Sequence, residues 1–302
     1  MRLRTIALTA CVLALAACQK DSLRIPILGT VWENTVDNTT TWLCFHDADS
    51  ASIVQFSSGT NRLMVDHGTY VSDGHELTIK TEYTSAYTVG RTFFHLRRPA
   101  SSDNFERLSP RSYASLAGSV WVTAASNVLH IAYLPEDGKA VDITYANITR
   151  DEKGPAYGWS VISKSAALNG SALEVGSVDA VLYPGIMTAG KYALHLCREP
   201  FAEDGTSSLK GSVWVYNNTG SPADIPSVII FNGKDSFTRI SGMWTGTVSS
   251  VNISPIIFDV VQGTYSESGG TVSITIGDKS KSCPISGGSF TLFEKTFRKL
   301  DY

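Results

Sequence analysis

The chain is 302 residues long, 43% hydrophobic and 18% charged, with a formal net charge of −3. That length allows two or three ordinary domains. The thin acidic balance, with no block of Lys or Arg, excludes nucleic acid as an expected partner.

The first segment reads as an address. Met1-Arg2-Leu3-Arg4 is basic, and Thr5 to Ala14 is apolar but too short to span a bilayer. Leu15-Ala16-Ala17-Cys18 follows. Small residues before a Cys, at this distance from a basic start, resemble the lipobox of bacterial lipoproteins. The resemblance implies a signal peptide over residues 1–17, cleavage before Cys18, a diacylglyceryl group on its thiol and an acylated tether over residues 18–26. Each buried methylene contributes about 0.8 kcal/mol, so several chains hold a protein firmly at a membrane. An ordinary secretory signal with a chance Cys is the competing reading. Gln19-Lys20-Asp21-Ser22 resembles the surface-export signal of lipoproteins in one Gram-negative phylum. It implies the outer face of the outer membrane, with the periplasmic face as alternative. Asp21-Ser22-Leu23 and Asp49-Ser50-Ala51 resemble the O-glycan acceptor of the same bacteria, at Ser22 and Ser50.

Leu28-Gly29-Thr30-Val31-Trp32 then opens a segment that the chain writes three times. It returns as Leu116-Ala117-Gly118-Ser119-Val120-Trp121 and as Leu209-Lys210-Gly211-Ser212-Val213-Trp214. A spacing of about 90 residues means one small domain in triplicate. Repeat one covers residues 27–99, a linker 100–115, repeat two 116–200, a linker 201–208 and repeat three 209–302.

Each repeat reads as short strands joined by tight turns. In repeat one, Thr41–His46 and Ser52–Phe56 are β-branched and aromatic runs. Gly68-Thr69-Tyr70 and Glu76–Lys80 flank Asp73-Gly74, and Thr92–Arg98 closes the unit. Repeat two offers Val128–Tyr133, the alternating Val141–Tyr145, Gly158–Ile162, Ala172–Val175 and a closing Tyr192–Arg198. In repeat three, Gly263-Thr264-Tyr265 matches Gly68-Thr69-Tyr70, and Thr271–Ile276 answers the Leu77 strand. Repeat two lacks Gly-Thr-Tyr. Six to eight strands per unit suit an antiparallel sandwich or an up-and-down barrel. The barrel is favoured because closure leaves no exposed edge.

The opening Trp strand, the mid-unit Gly-Thr-Tyr and the closing Phe/Leu-x-Leu-x-Arg strand resemble small lipocalin-like (calycin) barrels. The resemblance implies an all-β protein of three tandem small antiparallel barrels. Trp32, Trp121 and Trp214 would be floor residues and structural anchors, with Arg97 or Arg98, Arg198 and Arg298 as lids over them.

Candidate sites are few. Trp42, Trp159 and Trp244 are candidate ligand-binding residues, since a Trp beside Gly or Thr can stack on a sugar or anchor a protein contact. Their alternative is ordinary packing. His95 and His195 take equivalent places where repeat three has Thr296, which reads as the solvated side of a strand. His67 and His75 lie across a hairpin, but nothing completes a metal set at usable spacing. Cys44, Cys197 and Cys283 fall at inequivalent places; no bridge is the favoured reading, with one bridge and a spare thiol as the alternative. No catalytic motif is present, so no catalytic residue, metal or cofactor is expected. The leading expectation is a non-enzymatic surface lipoprotein that binds an extracellular macromolecule, glycan or protein, three modules adding avidity. The alternatives are a carrier of a small apolar ligand inside a calycin barrel, and an inhibitor or adhesin acting on host or competitor proteins. Filled interiors are expected; a dry cavity would bring the apolar ligand to the front.

Overall fold

The repeated motif folds into the same turn three times. The backbone N–H of Thr30, Ser119 and Ser212 donates to the carbonyl of Ile27, Leu116 and Leu209 at 3.1, 3.0 and 2.9 Å. Gly29, Gly118 and Gly211 sit at φ of 67°, 79° and 86°, the left-handed geometry that the third position of a type II turn requires. The side-chain hydroxyl of Thr30, Ser119 or Ser212 then accepts a bond from Nε1 of the Trp two residues on, at 2.8, 3.0 and 2.8 Å. All three indoles are buried. The Ser/Thr therefore satisfies the one polar atom that a floor Trp carries into the interior.

The computed structural model describes residues 27–72, 77–81, 91–94, 105–125, 128–151, 154–201, 205–217, 226–243 and 257–302. Cys18, Ser22, His75, His95, Arg97, Arg98 and Trp244 lie outside the described residues, as do the leader and tether. Every element in the described residues is a strand, and neighbouring strands are antiparallel.

Unit one has β1 (Thr30–Val36), β2 (Thr39–Phe45), β3 (Ser50–Ser57), β4 (Arg62–Ser72), β5 (Leu77–Thr81), β6 (Arg91–Phe94) and β7 (Glu106–Arg107). β7 returns to β1, with Arg107 opposite Trp32. The stretch expected to be a linker thus holds the returning strand, whereas β6 pairs with β5. Unit two has β8 (Val120–Ala125), β9 (Val128–Glu136), β10 (Lys139–Asp151), β11 (Gly154–Asn169), β12 (Ala172–Val175), β13 (Val178–Tyr183), β14 (Ile186–Ala189) and β15 (Tyr192–Arg198). These eight strands form a closed barrel, β15 against β8.

Unit three has β16 (Val213–Tyr216), β17 (Ser227–Ile230), β18 (Ser236–Met243), β19 (Ile257–Ser268), β20 (Thr271–Ile276), β21 (Lys279–Pro284), β22 (Ser289–Leu292) and β23 (Lys295–Leu300). They follow the order of the barrel, β23 returning to β16. Among the described residues no ladder joins β21 to β22; the chain passes between them through an isolated Ser286–Ser289 bridge.

Three separate barrels are not what the described strands form. One unit closes, and the other two share a 15-stranded sheet. The join is β4 against β19, with Met64, Leu63 and Arg62 opposite Ile257, Phe258 and Asp259. The physical reason lies in strand length. β5 covers β4 only from Gly68 onward, and β20 covers β19 only from Thr264 onward. The first halves of both strands would present bare edges, and they pair with each other.

The alternation of side chains along the opening strands then buries both faces. Trp32, Trp121 and Trp214 each enter the private core of their own unit. Val31, Val120 and Val213 point the other way, into a single cluster shared by all three units. The Gly-Thr-Tyr match also has one structural meaning. The Tyr70 and Tyr265 hydroxyls donate to the carbonyls of Asp47 and Gly233 at 2.9 and 2.8 Å. Each ring meets a Phe edge-on, Phe45 at 5.0 Å and Phe231 at 4.7 Å. Ala166 takes this place in unit two, its N–H bonded to the Gly138 carbonyl as Tyr70 N–H is to Asp49 and Tyr265 N–H to Asp235.

Candidate binding site

Ladder register allows units two and three to be matched position by position. Trp121 faces Ala132 across the strand pair, and Trp214 faces Ile229. Ala140 faces Lys164, and Phe237 faces Gly263. Carried round the sheet, Ala180, Met187, Ala189 and Leu194 correspond to Cys283, Phe290, Leu292 and Phe297. Unit three thus fills its interior with large side chains: Phe290 lies 4.9 Å from Trp214 and 5.5 Å from Phe297. Unit two sets smaller residues at the same places, Ala180 and Ala189 the smallest.

The result is a cavity of about 190 Å³ in the barrel end opposite the Trp121 floor. Its two walls differ in chemistry. Strands β12 to β15 contribute Val175, Val178, Ala180, Met187, Ala189 and Leu194, with Tyr192 the one lining residue there that carries a hydroxyl. Strands β8 to β11 bring Thr123, His130, Asp142 and Lys164 among smaller apolar residues, with Lys164 Nζ 2.7 Å from Asp142 Oδ2. Burial lowers the pKa of His130, Asp142 pulling the other way. An apolar cavity of about 150 Å³ already stays dry and accepts a ring the size of benzene. This space suits a small ring or a short alkyl chain, with its hydrogen-bonding atoms toward β8–β11.

The opposite end of the barrel is closed by the segment before β8. Tyr113 N–H donates to the Gly170 carbonyl at 3.1 Å, and the ring packs against the barrel's private core. A second hollow beside it, of about 290 Å³, reaches Asp137 and Gly138.

The candidate tryptophans are engaged elsewhere. Trp42 is 5% exposed, its Nε1 donates to Glu33 Oε2 at 2.7 Å, and its ring lies 5.1 Å from that of His195. A Cβ on Gly185 would come within 3.1 Å of that indole. Trp159 is half-buried on β11; its Nε1 donates to the Tyr216 carbonyl of unit three at 3.0 Å, with Tyr145 4.9 Å away. Both candidates among the described residues, Trp42 and Trp159, join units rather than face solvent as platforms.

The expectations for His195 and for the arginine lids are corrected by strand register and by the covering of strand faces. His195 was expected on a solvated face; it is buried because unit one packs over β15, stacking Phe56 on its ring at 4.8 Å. Arg198 and Arg298 pair with Val120 and Val215, so they share the face opposite to Trp121 and Trp214 and do not cover them. Arg198 instead bonds Gln262 Oε1 at 2.8 Å. Ser50 is half-buried and caps its own turn, Oγ and the backbone N–H donating to Asp47 Oδ1 at 2.5 and 2.7 Å. These bonds from Ser50 hold the Asp47 carboxyl at about 2. Cys44, Cys197 and Cys283 are free and buried, and burial pushes their thiols above the usual range.

Sequence reasoning missed the Ala series, which only register reveals, and a chain of polar side chains leading to the cavity. His46 Nε2 lies 2.7 Å from Ser52 Oγ, which lies 2.6 Å from His67 Nδ1. His67 Nε2 lies 3.3 Å from Thr123 Oγ1 on the cavity wall.

No protein-family pattern matches the chain, and no curated protein matches it. Among solved structures, a protein of unknown function from the DUF3598 family of Nostoc punctiforme aligns at 12% identity and a TM-score of 0.19, over 77% of this chain and 94% of that one. A DNA polymerase sliding clamp from Pseudomonas aeruginosa aligns at 7% identity and a TM-score of 0.14, over 86% and 92% of the two chains. A DnaN sliding clamp from Bartonella birtlesii gives 7% and 0.13, over 93% of each. Likeness at these scores is too low to carry a function across.

Proposed function

We propose that the chain is a non-enzymatic, lipid-anchored outer-membrane protein whose second unit takes a small apolar ligand through its open end. The observation that carries this reading is the cavity itself. At matched positions unit three holds Phe237, Phe290, Leu292 and Phe297, while unit two holds Ala140, Met187, Ala189 and Leu194. Large-to-small differences in a packed interior cost several kcal/mol unless something refills the space. An end left hollow by Ala180 and Ala189 is therefore a binding feature. Units two and three follow one lipocalin-like order of eight strands in this reading, unit one a shorter version of it, and Cys18 of Leu-Ala-Ala-Cys supplies the tether. The macromolecule reading ranks second, because the Trp42 ring packs on His195 of unit two and the Trp159 indole bonds the Tyr216 carbonyl of unit three.

The test is titration of the full chain with indole, toluene and hexanol, followed by the NMR signals of the Met187 and Leu194 methyl groups. Saturable shifts are expected in the wild type. Ala189→Leu, which copies Leu292 into the cavity, should abolish them without lowering the melting temperature. Absence of saturable shifts with all three probes overturns the reading.

A further inference from the structure

The seam between unit one and the barrel collects three histidines that are far apart in the chain. His67 on β4 reaches the cavity wall from outside. Its Nε2 lies 3.3 Å from Thr123 Oγ1, and its ring meets Tyr192 edge-on at 5.2 Å and 80°. Thr123 and Tyr192 both line the cavity. Unit one therefore braces one side of a site that belongs to unit two.

Behind His67 stands Ser52, fully buried, with one hydroxyl proton to share between two rings. The arrangement that satisfies every contact has His46 Nε2–H donating to Ser52 Oγ. Ser52 then donates to His67 Nδ1, and His67 Nε2–H donates to Thr123. Both rings are neutral in it. A further proton on His67 takes away the acceptor that Ser52 needs and leaves a charge against the barrel wall.

His195 repeats the demand at the other end of the seam. It lies between Trp42 and Phe56, and its Nδ1 is buried with no hydrogen-bond partner. Burial and Lys191 lower the His67 pKa while a hydrogen bond with the Ala124 backbone raises it; burial lowers that of His195 while the Gly185 backbone raises it. His46 feels burial, His67 and, in the opposite sense, Asp47. Burial holds His46 and His67 at about 4 and His195 at about 3, against an ordinary 6.5. A histidine lowered in the packed state stabilises packing fully above pH 6.5. That contribution is lost as pH falls toward 4, because the parted state binds protons that the packed state refuses.

We infer that the seam is an acid-released latch on the cavity: neutral His67 and His195 hold unit one against the barrel mouth, and their protonation parts the two and frees the wall made by Thr123 and Tyr192. The consequence for a ligand rests on the binding reading above. The seam itself does not.

Two measurements on the full chain at pH 7 and pH 4.5 separate these. Amide exchange, corrected for its intrinsic pH dependence, should show β3, β4 and β15 losing protection at pH 4.5 while β9 and β10 keep theirs. Indole affinity should fall at least tenfold over the same interval. The double variant His67→Gln, His195→Phe removes the titration of both latch histidines and leaves only that of His46, so it should hold most of the protection and of the affinity at pH 4.5. If that pair fails to fold at pH 7, His195→Phe alone is compared and should move seam opening to lower pH. A seam that stays protected in the wild type, or that opens equally in the variants, overturns the latch. A seam that opens in a chain that binds no probe at either pH supports the latch and removes the ligand.

Discussion

Units two and three follow one ladder and fill it in opposite ways. Phe237 in unit three occupies space that Gly263 leaves free across the strand pair; a Cβ there would come within 2.5 Å of the ring and 2.4 Å of the Thr275 carbonyl. In unit two the pair becomes Ala140 and Lys164, with the Lys amine turned to Asp142. The frame of turn, floor Trp and returning strand tolerates either filling. Interior volume is thus a free variable once the frame is fixed, and unit two has kept it open at one end.

Truncating the floor tests the frame with the largest expected effect. Trp121→Ala and Trp214→Ala should each cost about 3–5 kcal/mol in denaturant unfolding, as expected for a buried Trp. The parallel breaks if Trp121→Ala costs less than about 1 kcal/mol, since the hollow unit would then not depend on its indole. Next comes the filling. Gly263→Ala should destabilise by about 1–3 kcal/mol through overpacking against Phe237. In a Phe237→Ala background the same Gly263→Ala change should cost less, though not nothing, since the Thr275 carbonyl is also close; a double-mutant cycle reads that coupling directly. The smallest expected effect sharpens the match between units one and three. Tyr70→Phe and Tyr265→Phe each remove one bond to a turn carbonyl and should cost about 1 kcal/mol apiece. Unequal costs would mean that the two clasps are alike only in outline.

Much of the frame is legible in the sequence because it is local. Leu/Ile-x-Gly-Ser/Thr-Val-Trp encodes a turn, a hydrogen bond and a buried ring within six residues. Gly-Thr-Tyr encodes the clasp. The β4–β19 join is illegible because it depends on how far two distant strands overrun their own partners. β7 is hidden for a simpler reason: two charged, exposed residues carry no apolar pattern. One signal was available for the shared core. Val120-Trp121-Val122 and Leu194-His195-Leu196-Cys197 place apolar side chains on both strand faces, which a free-standing barrel with a wet exterior does not need. Trp42 and Trp159 reverse their expected role through the same cause, since the surface that looked open is covered by a neighbouring unit.

The shared cluster under Val31, Val120 and Val213 also limits how such a chain could change its length. A linear solenoid gains or loses a copy at small cost, because each member meets only its neighbours. Here every copy contributes to one middle, so a fourth has no berth. Excising the first would strip β19 of its edge partner and uncover β8 and β15, against which β4 and β3 pack. Anyone wishing to isolate the hollow barrel for engineering would first have to repaint that exterior with polar side chains.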